Sequence, residues 1–290
     1  MSIITAKKNP APLRMRLATL ATIVLLPMLG ACGANPADAG KVSTGTTAQP
    51  SAVLRIGIDP SFAPYEFEDN GSYSGSEIDI ARALGEQLNM RVEFSKIGFN
   101  SLIPALSASR VDVTMVGGWA DSPERRSAMN LVDYFQAHTA LLVKANDGSS
   151  RLKDLCGKSV AVLQASVYVS TLEKQKAACA ADGQPPLDIL QLSQDSAVLA
   201  VKSGQAQARI DEGGLVGFIT KQNPDLKMNT LTDDPPFTAA IGVGKNNDEL
   251  AKKVSRALEE LRNSGKLAEI FAKWGIPADW LLPKITLNGE

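Results

Sequence analysis

From Val53 onward the chain alternates short apolar runs with stretches of helical periodicity. Val53–Ile58 is a strand-type run. A helix is predicted to open at Ser76, with Asp79 three residues on as in a capping box. Ile80, Ala81, Leu84 and Leu88 then recur on one helical face. Val92 and Phe94 alternate with polar residues as a strand, Leu102, Ile103 and Leu106 suit a short helix, and Val111, Val113 and Met115 make another strand. The pattern then restarts. Strands are predicted at Thr139–Val143, Ser159–Leu163, Leu187–Leu192, Ala208–Asp211 and Thr238–Val243. Helices are predicted at Val167–Ala180 and at Asp195–Val201, ending at Gly204. A strong last helix follows, with Asp248 and Glu249 in its first turn. Leu250, Val254, Leu258 and Leu261 form its stripe, and Gly265 suits C′.

Strand–helix–strand repetition at this spacing argues for βαβ units and a mainly parallel sheet. Two such sets imply an α/β protein of two Rossmann-like lobes. Ligands of open α/β sheets bind beyond the C-terminal strand ends, so facing lobes place a site in the cleft between them.

The first 32 residues differ. They carry Lys7, Lys8, Arg14 and Arg16, no acid, and an apolar run from Leu17 to Leu29. That run is shorter than the roughly 20 residues needed to span a bilayer as a helix. It reads as a leader over 1–31, with Met15 as an alternative start. Leu29-Gly30-Ala31-Cys32 resembles the lipobox of bacterial lipoproteins. The resemblance implies a lipid on Cys32, which becomes the N-terminus and sits on the extracytoplasmic face of a membrane. Residues 32–52 are rich in Gly, Ser, Thr and Pro and read as a flexible tether.

Composition narrows the chemistry. Net charge is −1, and without the basic leader the balance moves to −5, which offers no basic nucleic-acid footprint. A single His, His138, argues against His-based catalysis and His-rich metal sites. Cys156 and Cys179 remain as an even pair once Cys32 is acylated. An exported chain makes a disulfide the first expectation and two buried thiols the alternative. No third Cys or His lies near to make a metal site.

Several segments then match one family in order. Leu54–Phe67, reading LRIGIDPSFAPYEF, resembles the opening of the polar amino-acid-binding proteins of ABC importers, solute-binding family 3. Gly75–Ala81 is similar to that family's Gly-Phe-Asp-Val-Asp-Leu-Ala. Asn100–Leu106, Val111-Asp112-Val113, Ser122-Pro123-Glu124-Arg125, Gly265-Lys266-Leu267 and Lys273-Trp274-Gly275 follow. The resemblance covers about residues 53–278. It implies the type 2 periplasmic-binding-protein fold: lobe 1 from 53–137 and 240–290, lobe 2 from 138–239. Strand crossings are implied near Ala137–His138 and Ala239–Ala240, with His138 structural at the hinge.

The resemblance also implies a site. Arg125 matches the carboxylate-binding arginine, whose planar fork holds two oxygens at once. Phe62 and Phe99 match the aromatic positions that sandwich the ligand. Asp211 resembles the ammonium-binding acid, with Glu212 a rival because the spacing is one residue short. Ala120 stands where a hydroxyl is usual, leaving its N–H as donor. Gly118 is a further candidate contact, while Gly117-Gly118 and Trp119 depart from the pattern. Gln164-Ala165-Ser166-Val167-Tyr168 departs most from the family's Gln-x-Gly-Thr-Thr, yet Ser166 and the N–H groups of a helix start still suit a carboxylate. Asp59 is placed either to reach a ligand side chain or simply at a strand end.

The implied protein is monomeric, captures a polar amino acid or similar small carboxylate without a cofactor, and delivers it to a membrane permease. The chain lacks GxxxxGK[ST], so an ATPase would be a separate protein. A ligand-sensing receptor subunit is an alternative. An enzyme resembling cyclohexadienyl dehydratase is another, but Leu163-Gln164-Ala165-Ser166 lacks that enzyme's Asn-Pro-Gly-Gly-Thr-like turn.

Overall fold

The computed structural model describes residues 52–290. The leader, Cys32 and nearly all of the tether lie outside the described residues. Ala52, assigned above to the tether, instead opens the first strand, opposite Met90. In chain order the first half reads β1 (Ala52–Ile58), β2 (Ser61–Phe62), β3 (Glu66–Asp69), β4 (Ser72–Ser74), α1 (Ser76–Leu88), β5 (Met90–Lys96), α2 (Phe99–Ser107), β6 (Val113–Ala120), α3 (Pro123–Ala128), β7 (Met129–Ala137) and β8 (Thr139–Lys144). After a 3₁₀ turn at Leu152–Leu155 come β9 (Ser159–Leu163), α4 (Val167–Ala181), β10 (Asp188–Leu192), α5 (Gln194–Ser203), β11 (Ala208–Glu212), α6 (Gly213–Gln222), β12 (Leu226–Thr230), β13 (Phe237–Gly244), α7 (Asp248–Asn263), α8 (Lys266–Trp274) and β14 (Leu281–Leu287).

Two large sheets organise most of these elements: six strands in the order β14-β7-β13-β6-β1-β5, and five in the order β10-β9-β11-β8-β12, with β2-β3-β4 a small third sheet. Each large sheet has a parallel half, β5-β1-β6 and β10-β9-β11. The remaining pairings are antiparallel, so the expectation of a mainly parallel sheet is corrected to a mixed one. The cause is the double crossing between sheets. The chain leaves the first sheet on β7, passes through His138 and enters the second on β8. It returns between β12 and β13. Outgoing and returning strands lie side by side with opposite direction, β13 against β7. The return occupies residues 231–236, a few residues earlier than the family pattern implied, because Phe237 already pairs with Ala137.

Alternation of side chains sends each sheet's apolar residues to two faces. In lobe 1, α1, α7 and α8 cover one face, where Leu54, Ile56, Val113 and Ile241 are fully buried. α2 covers the other, with Leu102, Met129, Leu131 and Ala240. In lobe 2, α5 and α6 pack on Leu142 and Ala161, while α4 packs on Leu141, Val160 and Ile210. The predicted stripe of α7 is buried, and Gly265 follows its C-cap at φ 80°. Cys156 and Cys179 form a disulfide tying the turn before β9 to α4, with Cα atoms 5.7 Å apart.

The start of α1 differs from expectation. Gly75, not Ser76, is its N-cap, and only glycine fits there: φ is 130° and a Cβ would lie 2.0 Å from the Tyr65 carbonyl oxygen. Ser76 is buried with its hydroxyl unpartnered. Asp79 instead accepts from Lys273 Nζ (2.6 Å) and Trp274 Nε1 (2.8 Å), pinning α8 to α1. Among the described residues no helix is long and apolar enough to cross a membrane.

Candidate ligand-binding cleft

A cavity of about 450 Å³, counting the part open to solvent, lies where the two lobes meet. Its floor is the end of β6. Gly117 and Gly118 take φ of 68° and 85°, a left-handed path that side chains disfavour. Their N–H groups point away from the cavity. Gly117 N donates to Glu77 Oε2 (2.8 Å) and Glu66 Oε2 (3.2 Å), and Gly118 N donates to Glu77 Oε1 (3.1 Å). Tyr134 adds a 2.6 Å hydroxyl donor to Glu77. Burial pushes the Glu66 carboxyl well above the usual range, and that of Glu77 up as well.

The next residues place the cation. Trp119 is buried, its Nε1 donating to Thr114 Oγ1 at 3.0 Å. Ser122 caps α3 by accepting from Arg125 N at 3.3 Å, with Pro123 in the first turn. Arg125 is thereby held with its guanidinium 4.7 Å above the Trp119 ring, in cation–π reach. Nη1 donates to the Ala120 carbonyl at 3.2 Å. Among the described residues no carboxylate pairs with this guanidinium. Loss of water around the unpaired cation lowers its pKa to about 10. The Phe99 ring lies 5.1 Å from Trp119 and 5.7 Å from Phe62, so three aromatics line one wall.

Lobe 2 supplies the opposite wall. Ser166 is the N-cap of α4, and its hydroxyl is buried without a partner. Two residues on, within the first turn, the Tyr168 hydroxyl is also buried and without a well-formed hydrogen bond. At the end of β11, Asp211 accepts from the fully buried Arg209 and, at 2.8 Å, from the N–H of Glu212. Glu212 caps α6. Its carboxylate accepts from Gly214 N (2.8 Å), Leu215 N (3.0 Å) and the Tyr65 hydroxyl (2.9 Å). The last bond runs between lobes. Burial raises Glu212 to about 7 against the pull of those donors.

Of the residues singled out from the sequence, Phe62, Phe99, Gly118, Ala120, Arg125, Ser166, Asp211 and the rival Glu212 all line this cavity. Asp59 does not. Its Oδ2 accepts from Phe99 N (2.8 Å) and its Oδ1 from the Ser61 hydroxyl (2.8 Å), so it fixes the two aromatic loops beside a neighbouring opening. His138 lies at the crossing with its ring 5.1 Å from that of Trp280. Tyr65, Leu163, Leu215 and Phe237 also line the cavity and were not anticipated. Tyr65 sits inside the quoted opening motif, two residues before Phe67, and was the one that could have been found there. The others are apolar residues of strand and helix ends, indistinguishable from core in the sequence.

Comparison with known proteins decides the family. The profile of bacterial extracellular solute-binding proteins, family 3, matches residues 54–277. The chain belongs to this family. The arginine-binding extracellular protein ArtP of Bacillus subtilis is 29% identical over 223 residues, 76% of this chain and 85% of that one. An ancestral arginine-binding protein has been solved bound to glutamine; it is 32% identical, with TM-score 0.69 over 77% of this chain and 97% of that one. The same kind of ancestral protein bound to arginine gives 32% and 0.68, over 78% and 99%. This solute-binding protein thus shares with its relatives both the two-lobed α/β fold and the extracytoplasmic family, and its near relatives are binding proteins.

Proposed function

We propose that this solute-binding protein is the capture component of an ABC importer, taking an amino acid and releasing it unchanged to a membrane permease driven by a separate ATPase. The observation that carries this reading is a desolvated arginine without a counter-ion. Arg125 faces the cleft from lobe 1 half-buried, and an unpaired charge stripped of part of its water is costly. A ligand carboxylate relieves that cost, with the Ser166 hydroxyl and the N–H groups at the start of α4 as further donors. The ammonium then faces Asp211 and Glu212. Asp211 is already neutralised by Arg209, so Glu212 carries the charge that the ammonium answers. The side chain lies along Phe62, Phe99 and Trp119.

Closure follows from the two-sided site. Arg125 belongs to one lobe and Ser166, Asp211 and Glu212 to the other, so a ligand touching both favours the closed arrangement over the open one. A lipid on Cys32 would keep the binding protein at the membrane beside its permease, and a monomer suffices for that role. The test is a thermal-shift panel of the twenty amino acids. At 100-fold excess over Kd, linkage stabilises by about 2.7 kcal/mol, a shift of several degrees. An unmoved melting temperature across the whole panel would refute the reading.

A further inference from the structure

The charge of the cleft limits which amino acid fits. Three charged side chains line it, Arg125, Asp211 and Glu212, and Arg209 stands behind Asp211 as its partner. The Asp211–Arg209 pair is self-neutralised within lobe 2. Arg125 and ionised Glu212 then cancel one another. A zwitterion replaces this arrangement charge for charge, its carboxylate on Arg125 and its ammonium on Glu212. No acid is left over for a cationic side chain. Glu66 and Glu77 lie behind the Gly117-Gly118 backbone and do not line the cavity; Glu77 accepts from both N–H groups and from Tyr134, and Glu66 from Gly117 N alone, its Oε1 buried without a partner. Asp59 opens elsewhere and is consumed by Phe99 N and Ser61.

Beyond the Ser166 hydroxyl, assigned above to the carboxylate, and the Tyr65 hydroxyl, bonded to Glu212, the lining is apolar save for one side-chain group still free to read a polar side chain. Tyr168 is 6% exposed and lines the cavity, and its hydroxyl, with the Thr139 side chain as its polar neighbour, makes no well-formed hydrogen bond. A buried hydroxyl without a partner is destabilising unless something else fills the role. Val167 beside it presents only methyl groups.

We infer that the cleft selects an amino acid with an uncharged, hydrogen-bonding side chain, discriminates against arginine and lysine, and uses the Tyr168 hydroxyl to read that side chain. This rests on the amino-acid reading above and narrows it. The site resembles those that recognise a polar group through an otherwise unpaired partner, where the analogue lacking the group is rejected strongly.

Calorimetric titration of the wild-type protein at pH 7.5 tests it, with glutamine, asparagine and threonine against arginine, lysine and histidine, and with leucine and phenylalanine as apolar references. The expected result is that one of the first three binds at least tenfold more tightly than any cationic or apolar amino acid. Arginine or lysine as the tightest ligand would overturn the inference and leave the amino-acid reading standing, as would leucine or phenylalanine. Binding by none of these eight would overturn the inference, and a thermal-shift panel unmoved by all twenty would overturn the amino-acid reading as well. Tyr168→Phe is expected to weaken the best ligand about tenfold with the unliganded melting temperature no lower than that of the wild type. Unchanged affinity in that variant overturns the assignment of the hydroxyl.

Discussion

Gly214→Ala separates lobe closure from folding, because its two effects have opposite sign. Gly214 lies in the first turn of α6 with helical backbone, where alanine is intrinsically favoured, by up to about 1 kcal/mol in a helix interior. Folding of the unliganded protein therefore gains or is unchanged. The added methyl would, however, lie 2.3 Å from the Tyr65 hydroxyl on the other lobe. An ordinary contact needs roughly 3.5 Å, so the phenol must retreat by about 1 Å. Tyr65 is 1% exposed, its ring lies 5.9 Å from that of Phe135, and it packs over Gly117, which leaves little room to swing. The 2.9 Å bond from Tyr65 to Glu212 stretches beyond hydrogen-bonding range. A hydrogen bond to a charged acceptor contributes about 1.5–3 kcal/mol. That corresponds to roughly 10- to 150-fold in affinity for a ligand that requires the closed lobes. Thermal unfolding without ligand and calorimetric titration with it, run on both proteins, read the two effects apart. Equal ligand affinity in the variant and the wild type would show that the Tyr65–Glu212 contact has no part in closure.

Three further outcomes follow from individual groups. Glu212 is raised to about 7, so its contribution to folding stability is complete below about 4.5 and lost as pH rises through 7, about 3 kcal/mol in all. Glu212→Gln should flatten that limb relative to wild type in melts from pH 4.5 to 8, and an unaltered pH profile contradicts the buried acid. A ligand ammonium beside Glu212 pulls its pKa down, so binding near pH 7 should release part of a proton. Calorimetry in two buffers of different ionisation enthalpy detects this, and identical heats count against Glu212 as the ammonium partner. Replacing Cys156 and Cys179 by Ser removes a cross-link of sequence separation 23. Chain entropy puts the loss at roughly 3 kcal/mol and the fall in melting temperature at about 10 °C; a fall of under 2 °C would mean that the unfolded chain is barely constrained by it.

Much of the scaffold was legible because its periodicities are strong. The α7 stripe from Leu250 to Leu261 and the alternation of Val53–Ile58 need no context. What escaped notice was made by context. α6 begins with two glycines and takes its start from Glu212, whose carboxylate caps it. β12 carries only Leu226 and Met228 as apolar residues, β14 is interrupted by Pro283 and Lys284, and both owe their strand character to pairing, with β8 and β7. α3 is six residues long and read as a motif rather than a helix. In the site, the ordered family motifs located Arg125, Phe62, Phe99 and the acids. They could not tell that Asp211 would be consumed by Arg209, since that depends on two residues sharing one face of β11. Nor could they show that Asp59 serves Phe99 and Ser61.

The central claim is that an unpaired arginine in the cleft is the anchor for an amino-acid carboxylate. Calorimetric titration of wild type and Arg125→Met with the tightest amino acid of the panel tests it most directly. Methionine keeps the packing over Trp119 and removes the charge. The account predicts that affinity falls by about 100-fold or more, with the unliganded protein no less stable, since a desolvated cation has been removed. Affinity within threefold of wild type would contradict it and place the carboxylate elsewhere.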